Sequence, residues 1–489
     1  MDLLIGLDVG TSAVKGVLIS SEGKQLALGK RNTRFLSPRT GFIEVEPEEH
    51  YASVCDLIRE LASHAPVGAE IRGISMAFAS GNTLLLDKKG QPLINIINWM
   101  DERALGKTEE ILPDLATEEI HGIVGWPWSR GAFPLAHLGW LRKHKPDIYG
   151  RAEHYCMNSD WLMYRLTGRW GMDYSTATTF YLIDQLNRRW HKPYLEMLEI
   201  PEEAISKLGA SGSVLGPLTA QGAEDTGLSQ DMLVVLGAFD HPSAARGTGY
   251  TGVNDLLLSC GTSWVGFYPV DDRNTAIAQG LLVDPFLSPD GPWATMFSLP
   301  MIGRRIDWYI DNLVLLEEEN PEEKYTIFSQ SSEKVPPGAR GLYYNPFLDS
   351  DHIPQSEIDL YANRSRDEIA RAVMEGPALR MRYNIERLAE AGIKADRIVM
   401  VGGPAESPVW PRIVAEITGL ELKLINGQTA GAVGAAILAA IGAGLFRDEG
   451  EAFTSMGGEG KVITPSVKTV KLYDSVYQEF LGRYVDEQA

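Results

Sequence analysis

Two short runs, Asp8-Val9-Gly10-Thr11-Ser12 and Cys260-Gly261-Thr262-Ser263, end in the same Gly-Thr-Ser tip. An apolar, strand-like run leads into each, Leu3 to Leu7 in the first and Leu256 to Leu258 in the second. Strand-like residues resume behind each tip, Ala13 to Ile19 and Trp264 to Phe267. The pattern predicts a β-hairpin at each place. Glycine lets a backbone approach a ligand closely, and Thr and Ser add hydroxyl donors beside backbone N–H groups, so such a tip suits phosphate. One Gly-Thr-Ser is ordinary turn chemistry. Two in matching contexts, near the start of each half of the chain, point to two half-clamps on one polyphosphate.

Other residues of chemical interest stand beside these tips or at strand ends. Asp8 closes the first strand, where an acid can orient Mg²⁺ through water; its other reading is a turn-initiating Asp. Lys15 reads equally as a phosphate neutraliser or an exposed strand lysine. Asp240, in Gly237-Ala238-Phe239-Asp240-His241-Pro242, ends a strand and opens a small-residue helix, where α/β sites gather. A carboxylate there can orient a hydroxyl and take its proton late in phosphoryl transfer; it can equally be a helix N-cap. Asn98, Trp99, Asp101 and Arg103 bring a flat apolar face and polar partners together within six residues, a set suited to a sugar. The alternative is a core Trp with a surface ion pair. Gly402-Gly403-Pro404-Ala405 follows a strand and leaves room for a flat base, or is a plain strand-to-helix loop.

Bulk properties narrow the field. The 489 residues are too many for one core, so two or three domains are expected. A net charge of −20 opposes nucleic acid or an anionic membrane surface as partner. The three cysteines, Cys55, Cys156 and Cys260, show neither CxxC nor disulfide spacing, which fits a reducing, cytoplasmic compartment. No basic leader pattern opens the sequence, and no signal peptide is expected. The uncharged run 425–446 is too polar and small-sided for a membrane span and reads as a buried Ala/Gly-rich helix. No Walker A motif occurs. Gly247-Thr248-Gly249-Tyr250-Thr251-Gly252 matches GxGxxG but follows helix-like residues, against a dinucleotide fingerprint; it reads as a hinge.

These residues need a scaffold that ends strands where the chemistry is. Periodicity predicts strands at Leu3–Leu7, Ala13–Ile19 and Gln25–Asn32, a helix over 48–64, and strands at 71–78 and 83–86. Helices are predicted over 102–112, 134–144, 159–166 and 191–198. Strand Leu233–Leu236 precedes the short helix Pro242 to Arg246. The second half repeats the logic: a hairpin around 256–267, a helix over 366–391, strand Arg397–Val401, and helices over 408–418 and 429–444. This is a mixed α/β sheet covered by helices, built twice. The expected division is 1–248, 253–446 and a peripheral tail 447–489.

In order and spacing, these motifs resemble the FGGY carbohydrate kinases from about residue 3 to 446. Asp8 to Lys15 looks like the opening phosphate motif and Trp99 to Arg103 like the W-x-D-x-R segment. Asn158 to Gly168 looks like the family helix that precedes Asp173-Tyr174-Ser175. Asp240 falls at the catalytic base, Gly261-Thr262-Ser263 at the second phosphate hairpin, Gly402 to Ala405 at the adenosine motif, and 429–446 at the closing helix. The resemblance implies an actin/hexokinase-like fold of two ribonuclease-H-like domains with an ATP cleft between them. It implies Mg²⁺ and transfer of the γ-phosphate of ATP to a small sugar, polyol or sugar acid, with a xylulose-like ketose as default acceptor.

In that picture Asp240 is the base and Asp8 serves the metal. Gly10, Thr11, Ser12, Lys15, Gly261, Thr262 and Ser263 hold phosphates, and Gly402, Gly403, Pro404 and Ala405 face adenosine. Asn82, Asn98, Trp99, Asp101, Arg103 and His241 are the candidate substrate contacts, and a homodimer is the family-level expectation. The sequence departs from the family at Phe78-Ala79-Ser80-Gly81-Asn82, where xylulose kinases carry Met-His-Gly and glycerol kinases an Arg-Glu pair. It also departs at Asn345 to Asp351 and at Pro404, where a third glycine is common. The alternative function is a non-catalytic nucleotide-binding regulator or ATPase on the same fold.

Overall fold

The computed structural model describes residues 1–128, 131, 133–249, 254–261, 263–348, 353–425, 427, 429–457 and 460–485. In chain order the elements used below begin with β1 (Asp2–Val9), β2 (Ala13–Ser20), β3 (Gln25–Asn32), α1 (Pro47–Ser63), β4 (Glu70–Phe78), α2 (Asn158–Thr167) and α3 (Tyr174–Thr178). There follow β5 (Val214–Pro217), β6 (Leu233–Phe239), α4 (Asp240–Gly247), β7 (Asp255–Cys260), β8 (Trp264–Val270) and β9 (Leu282–Pro285). The last are α5 (Arg366–Glu390), β10 (Arg397–Gly402), α6 (Trp410–Thr418), β11 (Glu421–Leu424), α7 (Ala430–Gly442), α8 (Glu449–Met456), β12 (Lys461–Ile463) and α9 (Val467–Tyr484).

The chain forms two compact units, each discontinuous in sequence: Met1–Thr251, Val270–Thr295 and Thr429–Gly458 in the first, and Gly252–Pro269, Met296–Gln428 and Glu459–Ala489 in the second. The first holds a six-stranded sheet in the order β5-β6-β4-β1-β2-β3. β1, β4 and β6 run parallel, while β2, β3 and β5 are antiparallel to their neighbours. β1 is apolar almost throughout because both its faces are covered. Leu3, Ile5 and Leu7 pack with Val54, Leu57 and Ile58 of α1, and Leu4 packs with Ala432 and Ala436 of α7.

α7 is the buried Ala/Gly-rich helix that the run 425–446 predicts; residues 430–440 are all buried. Its small side chains have a steric cause. A Cβ on Gly434 would lie 1.8 Å from the Ser243 carbonyl oxygen, and one on Gly6 would lie 1.9 Å from that of Ala432. The helix backbone therefore rides directly on α4 and β1. Among the described residues no helix is long and apolar enough to cross a membrane.

The second unit repeats the order. Five neighbouring strands of a seven-stranded sheet run β8-β7-β10-β11-β12. β7, β10 and β11 are parallel, and β8 and β12 are antiparallel to their neighbours. Position for position this matches β2-β1-β4-β6-β5, so the architecture is one α/β plan used twice.

Two expectations need correction. The helix predicted over 102–112 shrinks to Thr108–Ile111, because the Asp101 carboxylate takes the Arg103 N–H at 2.9 Å and turns the chain there. Residues 447–489, read as a peripheral tail, are packed through most of the described part. Phe453 and Met456 of α8 join the cluster around Leu4 and Val17, and Glu449 binds the wholly buried Arg246 at 2.9 and 3.0 Å. β12 pairs with β11, and α9 buries Tyr473, Tyr477, Phe480 and Tyr484.

Candidate active site

The C-terminal ends of three parallel strands of the first unit meet along one sheet edge. The register pairs Val9 of β1 with Phe78 of β4 and Phe78 with Phe239 of β6. Asp8 with its hairpin, the segment 79–82 and Asp240 therefore share that edge, the place where α/β sheets bind ligands. The first hairpin forms as the sequence predicts. Asp8 lies opposite Lys15, and the Gly10 N–H closes the tip on the Ala13 carbonyl at 3.1 Å.

Asp8 and Asp240 interact. Burial, then the charge of Asp240, push the Asp8 carboxyl up to about 7, while Lys15 pulls the other way. Burial likewise raises Asp240, and the neighbouring His241 lowers it. The Asp240 side chain is nonetheless 31% exposed, so it is hemmed in by protein yet reached by solvent. Its Oδ1 accepts the His241 N–H at 2.7 Å. Gly431, in the first turn of α7, makes room for Asp8: a Cβ there would come within 2.8 Å of the carboxyl carbon.

Two carboxylates close enough for one to raise the other are a donor set for a hard cation that keeps much of its own water. Among the described residues no group of three or more His, Cys, Asp or Glu makes a fuller cage. The pair fits a magnesium ion carried in on phosphate.

Around this edge the predicted substrate contacts divide. Trp99 is 38% exposed, and its Nε1–H donates to the Thr11 hydroxyl at 2.9 Å, so the ring stands against the hairpin tip. His241 is partly exposed beside Asp240. Asp101 and Arg103 are buried instead. Arg103 binds Asp101 at 2.7 and 2.8 Å and Glu44 at 2.6 Å, with its guanidinium 4.2 Å from the centre of the Phe42 ring. Asp101 also takes the Ile43 N–H at 2.7 Å. In the ligand-free chain the polar atoms of this pair are bonded to one another, to Glu44 and to the Ile43 N–H. Asn98 is a buried turn residue whose Oδ1 accepts the Met100 N–H.

Asn82 is buried too. Its Nδ2 donates to Ala79 O at 3.1 Å and Asn158 Oδ1 at 2.9 Å. It lines a small polar cavity with Gly10, Thr11, Thr33, His50 and Asn158, where Thr33 Oγ1, His50 Nε2 and Asn82 Oδ1 have no protein partner. Those three atoms suit an ordered water behind the hairpin.

Sequence reasoning missed an aromatic group close to Asp240. Trp126 stands edge-on to Phe133 at 5.8 Å and to Phe239 at 5.5 Å, and Phe133 stacks on Tyr181 at 4.9 Å. Gly81, with φ of +88°, lies against Phe133: a Cβ would meet its ring at 2.7 Å. These residues come from four separate stretches, and no local pattern links them. The only signal was the segment Phe78 to Asn82, which departs from the family pattern.

In the second unit Cys260 pairs with Gly402 across β7 and β10, which sets the end of β7, where the second tip begins, beside the helical turn Gly403–Glu406. Gly402 has φ of +100°, and its Cα lies so close to Cys260 that no Cβ would fit. Gly403 faces open space. The Gly261 N–H bonds Ser263 O at 3.1 Å, and the Ser263 hydroxyl oxygen accepts the Met301 N–H at 3.2 Å. Thr262 lies outside the described residues. A cavity of about 610 Å³ opens there, lined by Gly261, Tyr325, Ser329, Gly403, Pro404 and Trp410 among others, a size that suits a nucleoside.

Comparison with known proteins gives this geometry its family. Residues 3–247 match the N-terminal domain of the FGGY family of carbohydrate kinases, and residues 256–443 match its C-terminal domain. The autoinducer-2 kinase of Enterobacter sp. (strain 638) is 27% identical over 507 residues, spanning 100% of this chain and 95% of its own. The xylulose kinase of Bacillus subtilis (strain 168) is 26% identical, spanning 99% and 97%. Among solved structures, xylulose kinase from Rhodospirillum rubrum superposes with a TM-score of 0.86 at 25% identity over 98% of each chain. Plasmodium falciparum glycerol kinase with ADP superposes at 0.85 and 18% identity over 99% and 98%; the latter likeness is one of fold, the actin/hexokinase-like fold. With both halves matched in order across nearly its whole length, the chain belongs to the FGGY family of carbohydrate kinases.

Proposed function

We propose that this kinase moves the γ-phosphate of ATP to a hydroxyl of a small sugar or polyol with Asp240 as the base. The observation that carries the reading is the shared sheet edge, where Asp8 is next to last in β1 and Asp240 directly follows β6, and where burial raises both carboxyls. A base with a raised pKa takes a proton more readily. Oδ1 of Asp240 is held by the His241 N–H, so Oδ2 is the oxygen left to accept the acceptor's hydroxyl proton as its oxygen bonds the γ-phosphorus and the bond from that phosphorus to the ADP oxygen breaks. Transfer through a loose transition state needs positioning more than basicity. The first hairpin tip supplies it with backbone N–H groups and the hydroxyls of Thr11 and Ser12. Magnesium, held by Asp8 and the phosphates, would neutralise charge on the transferring group. Trp99 offers the acceptor a flat apolar face, and the second unit's cavity takes base and ribose.

The relatives named above act as xylulose and autoinducer-2 kinases, so the acceptor is a small ketose-like molecule of one of these kinds, xylulose being the default. ADP release with Mg²⁺ and ATP, measured over ketopentoses, ketohexoses, polyols, sugar acids and autoinducer-2, tests this. One acceptor class should stimulate release strongly. A panel as flat as the acceptor-free rate, with ATP bound, would contradict it.

A further inference from the structure

Asp240 follows Phe239, and Phe239 is held at two points. The first is its backbone. β6 slips in register against β4 between Val235 and Ala238, then pairs Ala238 with Ala77 and Phe239 with Phe78. After that slip the Phe239 N–H donates to the Ser175 hydroxyl oxygen at 3.0 Å. Ser175 is buried, and its own hydrogen is committed: Oγ donates to Asp173 Oδ2 at 2.5 Å. The same Oδ2 accepts the N–H groups of Ser175 at 2.9 Å and Thr176 at 3.1 Å, capping α3. With its proton fixed on Asp173, the Ser175 oxygen must turn a lone pair to Phe239.

The second point is the ring. Trp126 packs edge-on to Phe239 with an interplanar angle of 71°, and its Nε1–H donates to Asp284 Oδ2 at 3.1 Å. Asp284 is wholly buried on β9. Burial pushes its carboxyl well up, and the charges of Asp173 and Asp240 add to this. A buried acid next to other acids is costly, and neither Asp173 nor Asp284 has a place in the transfer chemistry. Both converge, through one intermediate residue each, on the residue before the base.

We propose that Ser175 and Trp126, anchored by Asp173 and Asp284, form a two-point clamp on Phe239 that positions the Asp240 carboxylate. They are positioning residues, and the inference rests on Asp240 being the base. Ser175→Ala leaves the Phe239 N–H without its partner and frees the peptide that leads into Asp240. Small displacements of a catalytic group cost far more in rate than in binding. The expected result is a fall in kcat on the order of 10-fold, with KM for ATP and acceptor within about twofold and a melting temperature lower by a few degrees, from the unpaired buried N–H. Ser175→Thr, which keeps the hydroxyl, restores most of the rate. Trp126→Leu should lower kcat to a similar degree. Because both act on one residue, the double variant should lose less than the product of the single losses. Wild-type kcat in Ser175→Ala, equal damage in Ser175→Thr, or a multiplicative double variant would each overturn the clamp. Full activity in Asp240→Asn would instead overturn the assignment of the base, which separates the two failures.

Discussion

Asp8 shows how a single buried residue can lower stability. Its carboxyl is raised to about 7 in the folded protein from an ordinary value of 3.8. In the window between those values the folded state holds more protons than the unfolded chain, so this group destabilises the protein progressively as pH rises through it. Asp8→Asn should therefore raise the melting temperature of the ligand-free protein by several degrees at pH 8. The gain should vanish below about pH 4, where Asp8 is protonated in both states. The same variant should lose the extra thermal stabilisation that Mg²⁺ gives over ATP alone. Scanning calorimetry at pH 4 and pH 8, with and without Mg²⁺, checks both; an Asp8→Asn protein no more stable than wild type at pH 8 would refute the account of this site.

At the scale of elements, the sequence showed which segments fold but not which way their polar residues face. The Gly-Thr-Ser hairpins and the buried helix α7 were legible because their signals are local: a turn between apolar runs, and small residues without charge. Asp101 and Arg103 were not, because their burial depends on Glu44 and Phe42, far back in the chain. Trp126, Phe133 and Phe239 were invisible for the same reason. Arg103→Ala strands the buried Asp101 carboxylate, takes a partner from the half-buried Glu44, and should cost about 3–5 kcal/mol of stability. Acceptor preference among the folded molecules should stay as it was; urea unfolding and a two-acceptor competition separate these effects. Gly434→Ala forces a methyl against the Ser243 carbonyl and should cost about 1–3 kcal/mol by overpacking, visible in the same unfolding experiment. A neutral Gly434→Ala would mean that α7 does not ride on α4 as closely as described.

Across the whole molecule the duplicated plan was readable from the repeat of hairpin, strand and helix, whereas the closing of each unit by distant segments was not. A tail looks peripheral in sequence when its helix is polar on most faces, as α9 is. Its tyrosines reveal the partner only in three dimensions. Tyr473 donates to Glu375 Oε1 at 2.7 Å and accepts from Arg371, both on α5. Burial raises Glu375, and the Arg371 charge holds it down. Deleting residues 461–489 removes this anchor and the strand β12, and should leave a protein with no cooperative unfolding of the second unit. Tyr473→Phe keeps the ring but leaves buried charge less well satisfied, at about 1–3 kcal/mol. Limited proteolysis of the deletion variant gives the check: resistance equal to the full chain would restore the view of a dispensable tail.

The central claim is that Asp240 takes the acceptor's proton while other groups bind the nucleotide. The most direct test is a single-turnover measurement of phosphoryl transfer from MgATP to the best acceptor by Asp240→Asn, with ATP affinity measured alongside. The account predicts ATP affinity within about twofold of wild type and a transfer rate lower by at least about 100-fold, the usual scale of lost general-base catalysis. Transfer at the wild-type rate with intact binding would show that Asp240 is a helix-opening residue and that the proton leaves by another route.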